Sequence, residues 1–481
     1  MSTPIVHPVL NWSLSDMRRA LGLSDGTADG GVTGEVAGQN ALRIVTDSRA
    51  VQAGDVFVAL RGDRFDAHDF VADVVARGAV AVIVERDLSV QGPLWRVDDT
   101  RRALGLLAKA WRARFDIPVV AVTGSNGKTT TKEMVAAILR SEFGDSHVLS
   151  TRGNLNNDVG VPHTLFELNA AHRVAVIEMG MNHPGEIAWL AEIAAPTVAL
   201  VNNAQREHQE FMKTVEAVAR ENGSVIAALP SSGVAVYPAA DEHTAVWNEL
   251  AGARRTLRFA AIDANAKDAS ATVRWTDKAG FLSLQMTGPW IENLYIDLQL
   301  PGAHNARNAL AAALCAWSAG CGSGAIVAGL SGFQAVSGRM QRVAHPAGGV
   351  LINDTYNANP DSVEAAIAAL VSLPAPRCLV LGDMGEVGDQ GEAFHRDLGL
   401  KARQSGIDQL HTVGALAIHS SQAFGAGATH HADIEQLVSS VKKLAQQQPG
   451  SIVVKGSRFM KMERVIQAIV GTSAQEGSHA A

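Results

Sequence analysis

One short segment limits the fold of this chain more than any other. Thr123-Gly-Ser-Asn-Gly-Lys-Thr-Thr130 directly follows the apolar run Pro118–Val122 and opens a helical stretch that extends to Arg140. Glycines let backbone N–H groups approach phosphate oxygens, and a helix N-terminus adds positive potential at the same place. Lys128 can reach the terminal phosphates of a nucleotide, and Thr129 can ligate Mg²⁺. The segment therefore predicts a phosphate-binding loop between a buried strand and a helix.

The loop departs from the usual P-loop spacing. Val122 stands where the first glycine of that pattern would be, so that the loop beginning at Gly124 is shorter. The alternative interpretation is a glycine-rich turn from strand to helix that binds nothing.

The length and the element pattern predict three α/β domains. A chain of 481 residues is too long for a single core. Strand and helix patterns predict a small mixed α/β N-terminal unit over residues 1–98 and a central doubly wound parallel-sheet P-loop domain over residues 99–337. They predict a C-terminal Rossmann-like α/β domain over residues 338–481.

The composition excludes several classes of protein. A net charge of −7 argues against a general nucleic-acid binder, which would carry a surplus of Lys and Arg. The 3 cysteines lack the CxxC spacing that a zinc site favours, and they are too few for a disulfide framework. No stretch predicts a transmembrane helix or a signal peptide, so we expect a cytoplasmic protein.

Polar residues follow several predicted strands, where ligands bind in parallel α/β sheets. Glu178 ends one apolar strand, and His208 follows the next one after a short loop. The segment Asp354–Pro360 and Lys455 follow strands of the third domain. Each has an ordinary alternative: a solvated carboxylate, a surface histidine, a helix-capping loop and a solvated lysine. The residues alone predict a three-domain enzyme that binds nucleotide phosphates.

Taken together, these motifs resemble the Mur ligase family along nearly the whole chain. Gly124–Thr130 is similar to the short phosphate loop of the family, and Pro301–Ala309 resembles its adenine-side signature. Segments that resemble the branch of the family adding D-alanyl-D-alanine are Thr46–Arg49, Gly54–Leu60, Asn154–Pro162, Met181–Ile187, Asp354–Pro360 and Gly382–Glu386. The DNPR motif expected of the branch that adds the third peptide residue does not occur.

The resemblance implies roles for individual residues. It assigns catalysis to Lys128, Glu178, His208 and Arg339. It assigns ATP binding to Gly124, Ser125, Asn126, Gly127, Lys128, Thr129, Thr130, Asn305, Asn308, Arg339 and Asp354. It assigns substrate binding to Ser48, Arg49, Asn156, Asn157, Tyr356, Asn357, Asn359 and Ser362. It assigns Mg²⁺ to Thr129, Glu178 and His208, and we expect Asn222 to complete that metal site.

The resemblance also implies the reaction. UDP-N-acetylmuramoyl-tripeptide would be activated by ATP as an acyl phosphate, which the amine of D-alanyl-D-alanine would attack during peptidoglycan precursor synthesis. The first domain would bind the UDP end, the second ATP, and the third would close over both. We expect a monomer that uses ATP and Mg²⁺ and binds no nucleic acid.

Asn222 is a departure from the family. Many Mur ligases carry a lysine fourteen residues after the ligand histidine, and its carbamate bridges to a second Mg²⁺; counting from His208 reaches Asn222. Because an amide cannot form a carbamate, we expect Asn222 to complete a weaker metal shell through its oxygen or a water.

Two alternatives remain at this stage. One is another ligase that shares this phosphate loop, such as folylpolyglutamate synthase, which would lack the uridine-binding unit. The other is a P-loop switch whose nucleotide state controls a partner, and this alternative consumes no small-molecule acceptor.

Overall fold

The chain folds into three α/β regions, each built on its own main sheet. The computed structural model describes residues 9–23, 39–62, 65–207, 209–264, 266–277 and 280–471. Within these residues, no helix has both the length and the apolar character needed to cross a membrane. The three-domain α/β prediction is confirmed.

The N-terminal region is small and parallel. Strands β3, β4, β5 and β6 form a parallel sheet in that order, and β1 pairs with β2 in a separate antiparallel ribbon. The elements are β1 (Trp12–Ser13), α1 (Leu14–Ala20), β2 (Asn40–Ala41), β3 (Ile44–Val45), β4 (Val56–Val58), α2 (Val71–Ala76), β5 (Ala81–Val84) and β6 (Leu94–Arg96).

Nine strands lie in the described part of the central region. They are β7 (Val119–Thr123), β8 (Val148–Ser150), β9 (Val174–Glu178), β10 (Val198–Val201), β11 (Val234–Pro238), β12 (Arg255–Ala261), β13 (Ala271–Asp277), β14 (Leu282–Thr287) and β15 (Leu294–Leu298). The helices are α3 (Thr100–Arg112), α4 (Lys128–Phe143), α5 (Gly160–Phe166), α6 (Glu186–Ala194), α7 (Gln209–Met212), α8 (Val215–Ala227), α9 (Thr244–Ala251), α10 (Ala303–Ser318) and α11 (Ser323–Ser331).

The central sheet is parallel except at one end. Its order is β15-β14-β13-β12-β11-β10-β7-β9-β8, and the seven strands from β13 to β8 run parallel. Strands β14 and β15 add an antiparallel extension. The connection from Asp277 to Leu282 is too short for the crossover that a parallel pair requires, and β13 and β14 accordingly pair antiparallel.

Strand β7 lies in the middle of this sheet and brings three strand ends together. It pairs with β10 on one side and β9 on the other, with Thr123 opposite Val201 and Val122 opposite Glu178. The phosphate loop, Glu178 and the segment after β10 therefore meet at one edge of the sheet. This is the edge at which open parallel sheets bind their ligands.

The C-terminal region has a sheet of order β16-β17-β21-β18-β19-β20, parallel except for β16. The strands are β16 (Gln341–Val343), β17 (Val350–Asp354), β18 (Arg377–Gly382), β19 (Gln409–Val413), β20 (Ala428–His431) and β21 (Ser451–Lys455). The helices are α12 (Pro360–Val371), α13 (Gly391–Gln404), α14 (Ala417–Phe424), α15 (Ile434–Gln447) and α16 (Glu463–Val470).

The N-terminal and central regions share one hydrophobic core. Residues of β3 to β6 such as Ile44, Ile83 and Trp95 belong to the same buried cluster as Leu104 of α3 and Ile187 of α6. Helix α3 thus lies between the two regions and contributes to both. Residues on both sides of the predicted boundary at 98/99 therefore belong to one buried cluster.

We predict that Leu104→Ala destabilises the N-terminal and central regions together. Leu104 is fully buried in the shared cluster, and a cavity at such a site costs about 2–5 kcal/mol of the free energy of unfolding. Denaturant unfolding of the full chain measures this cost. Leu400→Ala, at an exposed position of α13, is the matched control and should change stability by less than about 0.5 kcal/mol. Equal stabilities for the two variants would contradict a shared core.

Candidate functional site

The main cavity of the molecule lies between the central and C-terminal regions. Its volume is about 1130 Å³, and its walls include the phosphate loop, the ends of β9 and β10, the start of α10, the segment after β17 and the end of β21. The predicted ATP-site residues from Ser125 to Thr130, Asn305, Asn308, Arg339 and Asp354 all line it. Elements that are far apart in the sequence thus contribute to one site.

Close packing at the phosphate loop requires its glycines. Gly127 has φ +80° and directly precedes α4, and a Cβ there would lie 2.7 Å from Nδ2 of Asn202 and 2.8 Å from Oδ1 of Asn308. Gly124 has φ +127°, and a Cβ there would lie 2.9 Å from the backbone nitrogen of Asn202. Side chains are excluded at both positions by conformation and by space.

Asparagines fix the conformation of this loop. The backbone N–H of Asn126 donates to Oδ1 of Asn203 at 2.9 Å, and the Asn126 carbonyl accepts from Nδ2 of Asn202 at 2.8 Å and Nδ2 of Asn203 at 2.9 Å. Asn202 and Asn203 directly follow β10. The loop is thereby held rigidly against the neighbouring strand end.

Lys128 lies against the loop itself. Its Nζ donates to the carbonyls of Gly124 at 2.5 Å and Ser125 at 3.1 Å, and it forms an ion pair with Glu207 at 3.2 Å. The ammonium group thus lies at the cradle with partners that phosphate oxygens could replace. Glu207, which the sequence analysis did not single out, is mostly buried and lines the same cavity.

Glu178 has the surroundings of a metal-binding carboxylate. Its Oε1 accepts a hydrogen bond of 2.8 Å from Nδ2 of Asn156. Its Oε2 is buried, and among the described residues it has no hydrogen-bond partner. A buried carboxylate oxygen without a partner is costly unless a cation or a proton neutralises it. His208, the predicted second ligand, lies outside the described residues, and the described residues contain no cluster of three acidic, His or Cys ligands.

Asn222, which we predicted to complete the metal site, makes its described side-chain contacts with the phosphate loop. Its Oδ1 accepts from Oγ1 of Thr123 at 2.5 Å and from the backbone N–H of Gly124 at 3.0 Å. A carboxamide oxygen has two lone pairs, and these two bonds use both. Asn222 is almost completely buried on α8 and lies beneath the start of the loop, away from the described cavity lining. Through these two hydrogen bonds Asn222 anchors the start of the phosphate loop.

The predicted adenine-side asparagines connect α10 to the loop. Asn308 accepts from Nδ2 of Asn202 at 3.0 Å and donates to Oδ1 of Asn305 at 3.1 Å, while Asn305 donates to the carbonyl of Pro301 at 2.8 Å. The neighbouring His304 also lines the cavity, and burial lowers its pKa to about 4. Its imidazole is therefore neutral at neutral pH.

A buried ion pair organises the C-terminal wall. Nζ of Lys455 lies 2.7 Å from Oδ2 of Asp354 and donates to the carbonyl of Asn357 at 2.9 Å, while Oδ1 of Asp354 accepts from the backbone of Met340 at 3.0 Å. The sequence analysis treated Lys455 as a solvated loop residue by default, which is wrong, because Lys455 is almost completely buried. Its position at the end of a central parallel strand was the sequence feature that could have indicated its burial.

Two more predicted residues form an aromatic contact at this wall. The guanidinium of Arg339 stacks over the ring of Tyr356 at 4.0 Å from the ring centroid. Both residues line the cavity.

The predicted acceptor residues also have structural roles. Asn359 and Ser362 form a reciprocal capping box at the start of α12, with bonds of 2.8 Å and 3.0 Å. Nδ2 of Asn359 also donates to Oδ1 of Asn126 at 2.9 Å, which joins the C-terminal region to the phosphate loop. Oδ1 of Asn157 accepts from the backbone of Gly160 at 2.8 Å at the start of α5. All of these predicted residues line the cavity, as do Asn156 and Asn357.

Ser48 and Arg49 are not brought to this cavity. They lie in a short 3₁₀ turn of the N-terminal region, where the exposed guanidinium of Arg49 binds both carboxylate oxygens of Asp47 at 2.9 and 2.6 Å. The Asp47 carboxylate accordingly raises the pKa of Arg49. A substrate that reaches both the turn and the cavity would have to be long.

Comparison with known proteins gives a consistent result. Three sequence models of Mur ligase domains match the chain. They are the Mur ligase family catalytic domain at residues 43–137, the Mur ligase middle domain at 122–316 and the Mur ligase glutamate ligase domain at 338–458. The UDP-N-acetylmuramoyl-tripeptide--D-alanyl-D-alanine ligase of Escherichia coli is 41% identical over 441 residues, which are 91% of this chain and 96% of that protein.

Solved structures are similar over most of the chain. A crystal structure of MurF from Acinetobacter baumannii superposes with a TM-score of 0.87 at 33% identity, covering 96% of this chain and 99% of that chain. MurF ligase from Thermotoga maritima, solved in complex with ADP, has a TM-score of 0.78 at 27% identity and covers 89% and 96% of the two chains.

We predict that Asn222→Ala weakens ATP binding without changing the Mg²⁺ requirement. Removal of the side chain leaves the buried N–H of Gly124 and the hydroxyl of Thr123 without their acceptor, which costs about 1–3 kcal/mol. We expect a rise in the KM for ATP of about tenfold, corresponding to roughly 1.4 kcal/mol. Steady-state ADP release at varied ATP and varied Mg²⁺ measures both quantities.

Glu178→Gln is the comparison variant for this experiment. It removes the negative charge of the buried carboxylate, whose Oε2 has no hydrogen-bond partner among the described residues, and should raise the Mg²⁺ requirement. If Asn222→Ala instead behaved like Glu178→Gln, with a shifted Mg²⁺ requirement and an unchanged KM for ATP, Asn222 would be a metal ligand after all.

Proposed function

This chain belongs to the Mur ligase family, and from that membership we propose that it joins D-alanyl-D-alanine to UDP-N-acetylmuramoyl-tripeptide in an ATP-dependent ligation. The observation that carries the proposal is the similarity to the E. coli ligase of that name over nearly the full length of both chains. The cavity between the central and C-terminal regions supports it, because it joins a phosphate cradle to a separate set of polar residues.

The ligation proceeds in two steps. The terminal carboxylate of the tripeptide attacks the γ-phosphate of ATP, which releases ADP and leaves an acyl phosphate. The free amine of D-alanyl-D-alanine then attacks the acyl carbon, and the tetrahedral intermediate expels inorganic phosphate as the amide forms. Charge builds on the transferring phosphoryl group, so that fixed positive groups beside it lower the barrier.

Lys128 and Arg339 supply that positive charge. Lys128 lies at the loop with its Nζ on the carbonyls of Gly124 and Ser125, and it can exchange these partners for phosphate oxygens. Arg339 enters from the opposite wall, where stacking on Tyr356 fixes the plane of its guanidinium. The two cations thus approach the nucleotide from different regions of the chain. Their convergence requires the regions to be docked.

The residues also fit a Mg²⁺ ion. Glu178 presents a buried carboxylate oxygen without a partner among the described residues, and Thr129 is a hydroxyl donor at the loop. Hard oxygen ligands of this kind suit Mg²⁺, which usually keeps several waters and binds the nucleotide phosphates. When bound, the ion would neutralise phosphate charge. Glu178, Thr129 and His208 would hold it.

Separate residues would bind the tripeptide and the dipeptide. We assign Asn156 and Asn157 to the tripeptide, and Asn357, Asn359 and Ser362 to D-alanyl-D-alanine. The long UDP-precursor extends to Ser48 and Arg49 in the N-terminal region. Since one chain supplies all of these residues, a monomer suffices for the reaction.

We predict that ADP release requires all four of ATP, Mg²⁺, UDP-N-acetylmuramoyl-tripeptide and D-alanyl-D-alanine. Omission of each in turn, followed by a coupled assay for ADP, tests this. Precursors that end in lysine or in diaminopimelate, compared at equal concentration, identify the accepted third residue. Sustained turnover without the dipeptide would refute the proposed ligation.

We predict that Lys128→Ala lowers kcat by about 10²–10³-fold, the range observed when one charge-stabilising donor is removed. The fold should be unaffected, because the Lys128 side chain lies in the cavity wall and not in a hydrophobic core. Lys109→Ala is the matched control, since Lys109 forms a half-exposed ion pair with Glu192 away from the cavity. Near-normal turnover in Lys128→Ala, with both variants folded, would show that the loop is misassigned.

A further inference from the structure

A cluster of charged residues joins the loop after β10 to the start of α12. The backbone N–H of Arg206 donates to Oδ2 of Asp361 at 2.7 Å, and its guanidinium contacts both carboxylate oxygens, Nε to Oδ2 at 3.1 Å and Nη2 to Oδ1 at 2.8 Å. Nη2 also donates to Oε1 of Glu364 at 2.7 Å. Arg206 thus makes four hydrogen bonds to one turn of a helix that belongs to another region of the chain.

This contact differs from an ordinary surface ion pair. The side chains of Arg206 and Asp361 are only 33% and 19% exposed, and the guanidinium lies 5.6 Å from the ring centroid of Phe394 on α13. Single exposed ion pairs contribute little to stability. A partly buried arginine that binds both oxygens of a carboxylate forms a stronger and more directional interaction. The bonds to Asp361 and Glu364 accordingly raise the pKa of Arg206. The cluster can therefore determine how two regions dock.

The helix that Arg206 binds carries the proposed acceptor residues. Asp361 lies within the first turn of α12, whose N-cap is Asn359 and whose capping box includes Ser362. Asn359 in turn exchanges hydrogen bonds of 2.9 Å and 3.3 Å with the side chain of Asn126 in the phosphate loop. Those amide bonds are neutral, and the charged cluster is the stronger of the two contacts at this junction.

We propose that Arg206, held by Asp361 and Glu364, is a positioning residue that fixes the start of α12 against the phosphate loop and so assembles the binding site for the dipeptide acceptor. The inference rests on the proposed ligation and names a determinant of its second substrate. The loop that carries Arg206 continues into Glu207, which contacts Lys128, so that the same segment touches both halves of the site. Loss of the cluster should affect the dipeptide most and the UDP-precursor least.

A charge exchange tests this role. The variants are Arg206→Glu, Asp361→Arg and the double variant, with Arg206→Lys as the conservative change that keeps the charge and loses the fork. Arg464→Glu is the matched control, because Arg464 pairs with Glu435 on the surface of the C-terminal region alone. For each variant, kcat and the KM for each substrate are measured. Small-angle X-ray scattering gives the radius of gyration independently of activity.

The expected pattern is specific to docking. Arg206→Glu should raise the KM for D-alanyl-D-alanine by about tenfold, because it puts three carboxylates together at a partly exposed site. The KM for the UDP-precursor should change by less than about twofold, since the residues proposed to bind it lie in the N-terminal and central regions. For Arg206→Lys, the KM for D-alanyl-D-alanine should lie between those of the wild type and Arg206→Glu. In the double variant, this KM should fall part of the way back to the wild-type value. The radius of gyration should rise in Arg206→Glu and fall again in the double variant.

Other outcomes would overturn the proposal. The proposal fails if Arg206→Glu leaves the KM for D-alanyl-D-alanine unchanged or raises the KM of every substrate equally. It also fails if the KM for D-alanyl-D-alanine is no lower in the double variant than in the single variants. If the wild type did not consume the dipeptide at all, the proposed ligation would fail. The scattering series would still decide whether the cluster docks the two regions, and a radius of gyration that is the same in all variants would reject it.

Discussion

The site depends on the close approach of backbone and side chains at Gly127. At that point the loop, the strand end after β10 and the start of α10 lie so close together that even a Cβ would overlap the amides of Asn202 and Asn308. Asparagine suits this junction because its amide both donates and accepts, and can therefore satisfy backbone groups of either kind. The turn is held by a network of asparagine hydrogen bonds, which involves Asn202, Asn203, Asn222 and Asn308. The upper surface of the loop is left open to the cavity.

Much of this arrangement could be predicted from the sequence, and for a local reason. The apolar run of β7, the glycines and the helix that follows are adjacent in the chain, so that local pattern and final structure agree. The residues at the ends of β9 and β17 could be predicted because parallel strands end at one edge of a sheet. The resemblance to the Mur ligases added residues such as Asn305 and Arg339, whose place in the cavity no spacing indicates.

What could not be predicted depends on distant partners. Lys455 is buried because Asp354, about a hundred residues earlier, neutralises it in the adjacent strand. Counting along the chain leads to Asn222, but counting does not show that its amide bonds to Thr123 and Gly124 at the start of the loop. Arg206 belongs to no motif, and its role is apparent only when α12 is docked beside it. The shared core of the first two regions was missed for the same reason, since burial by a distant helix leaves no periodic pattern.

That shared core has a consequence for synthesis of the chain. The N-terminal sheet leaves the ribosome before α3 and α6, with which residues such as Ile44, Ile83 and Trp95 complete their hydrophobic cluster. Helix α6 ends at Ala194, close to one hundred residues after β6. At roughly 5–20 residues per second, the apolar face of the nascent sheet therefore stays uncovered for about 5–20 s. During that interval the growing polypeptide presents a hydrophobic surface of the kind that ribosome-associated chaperones bind.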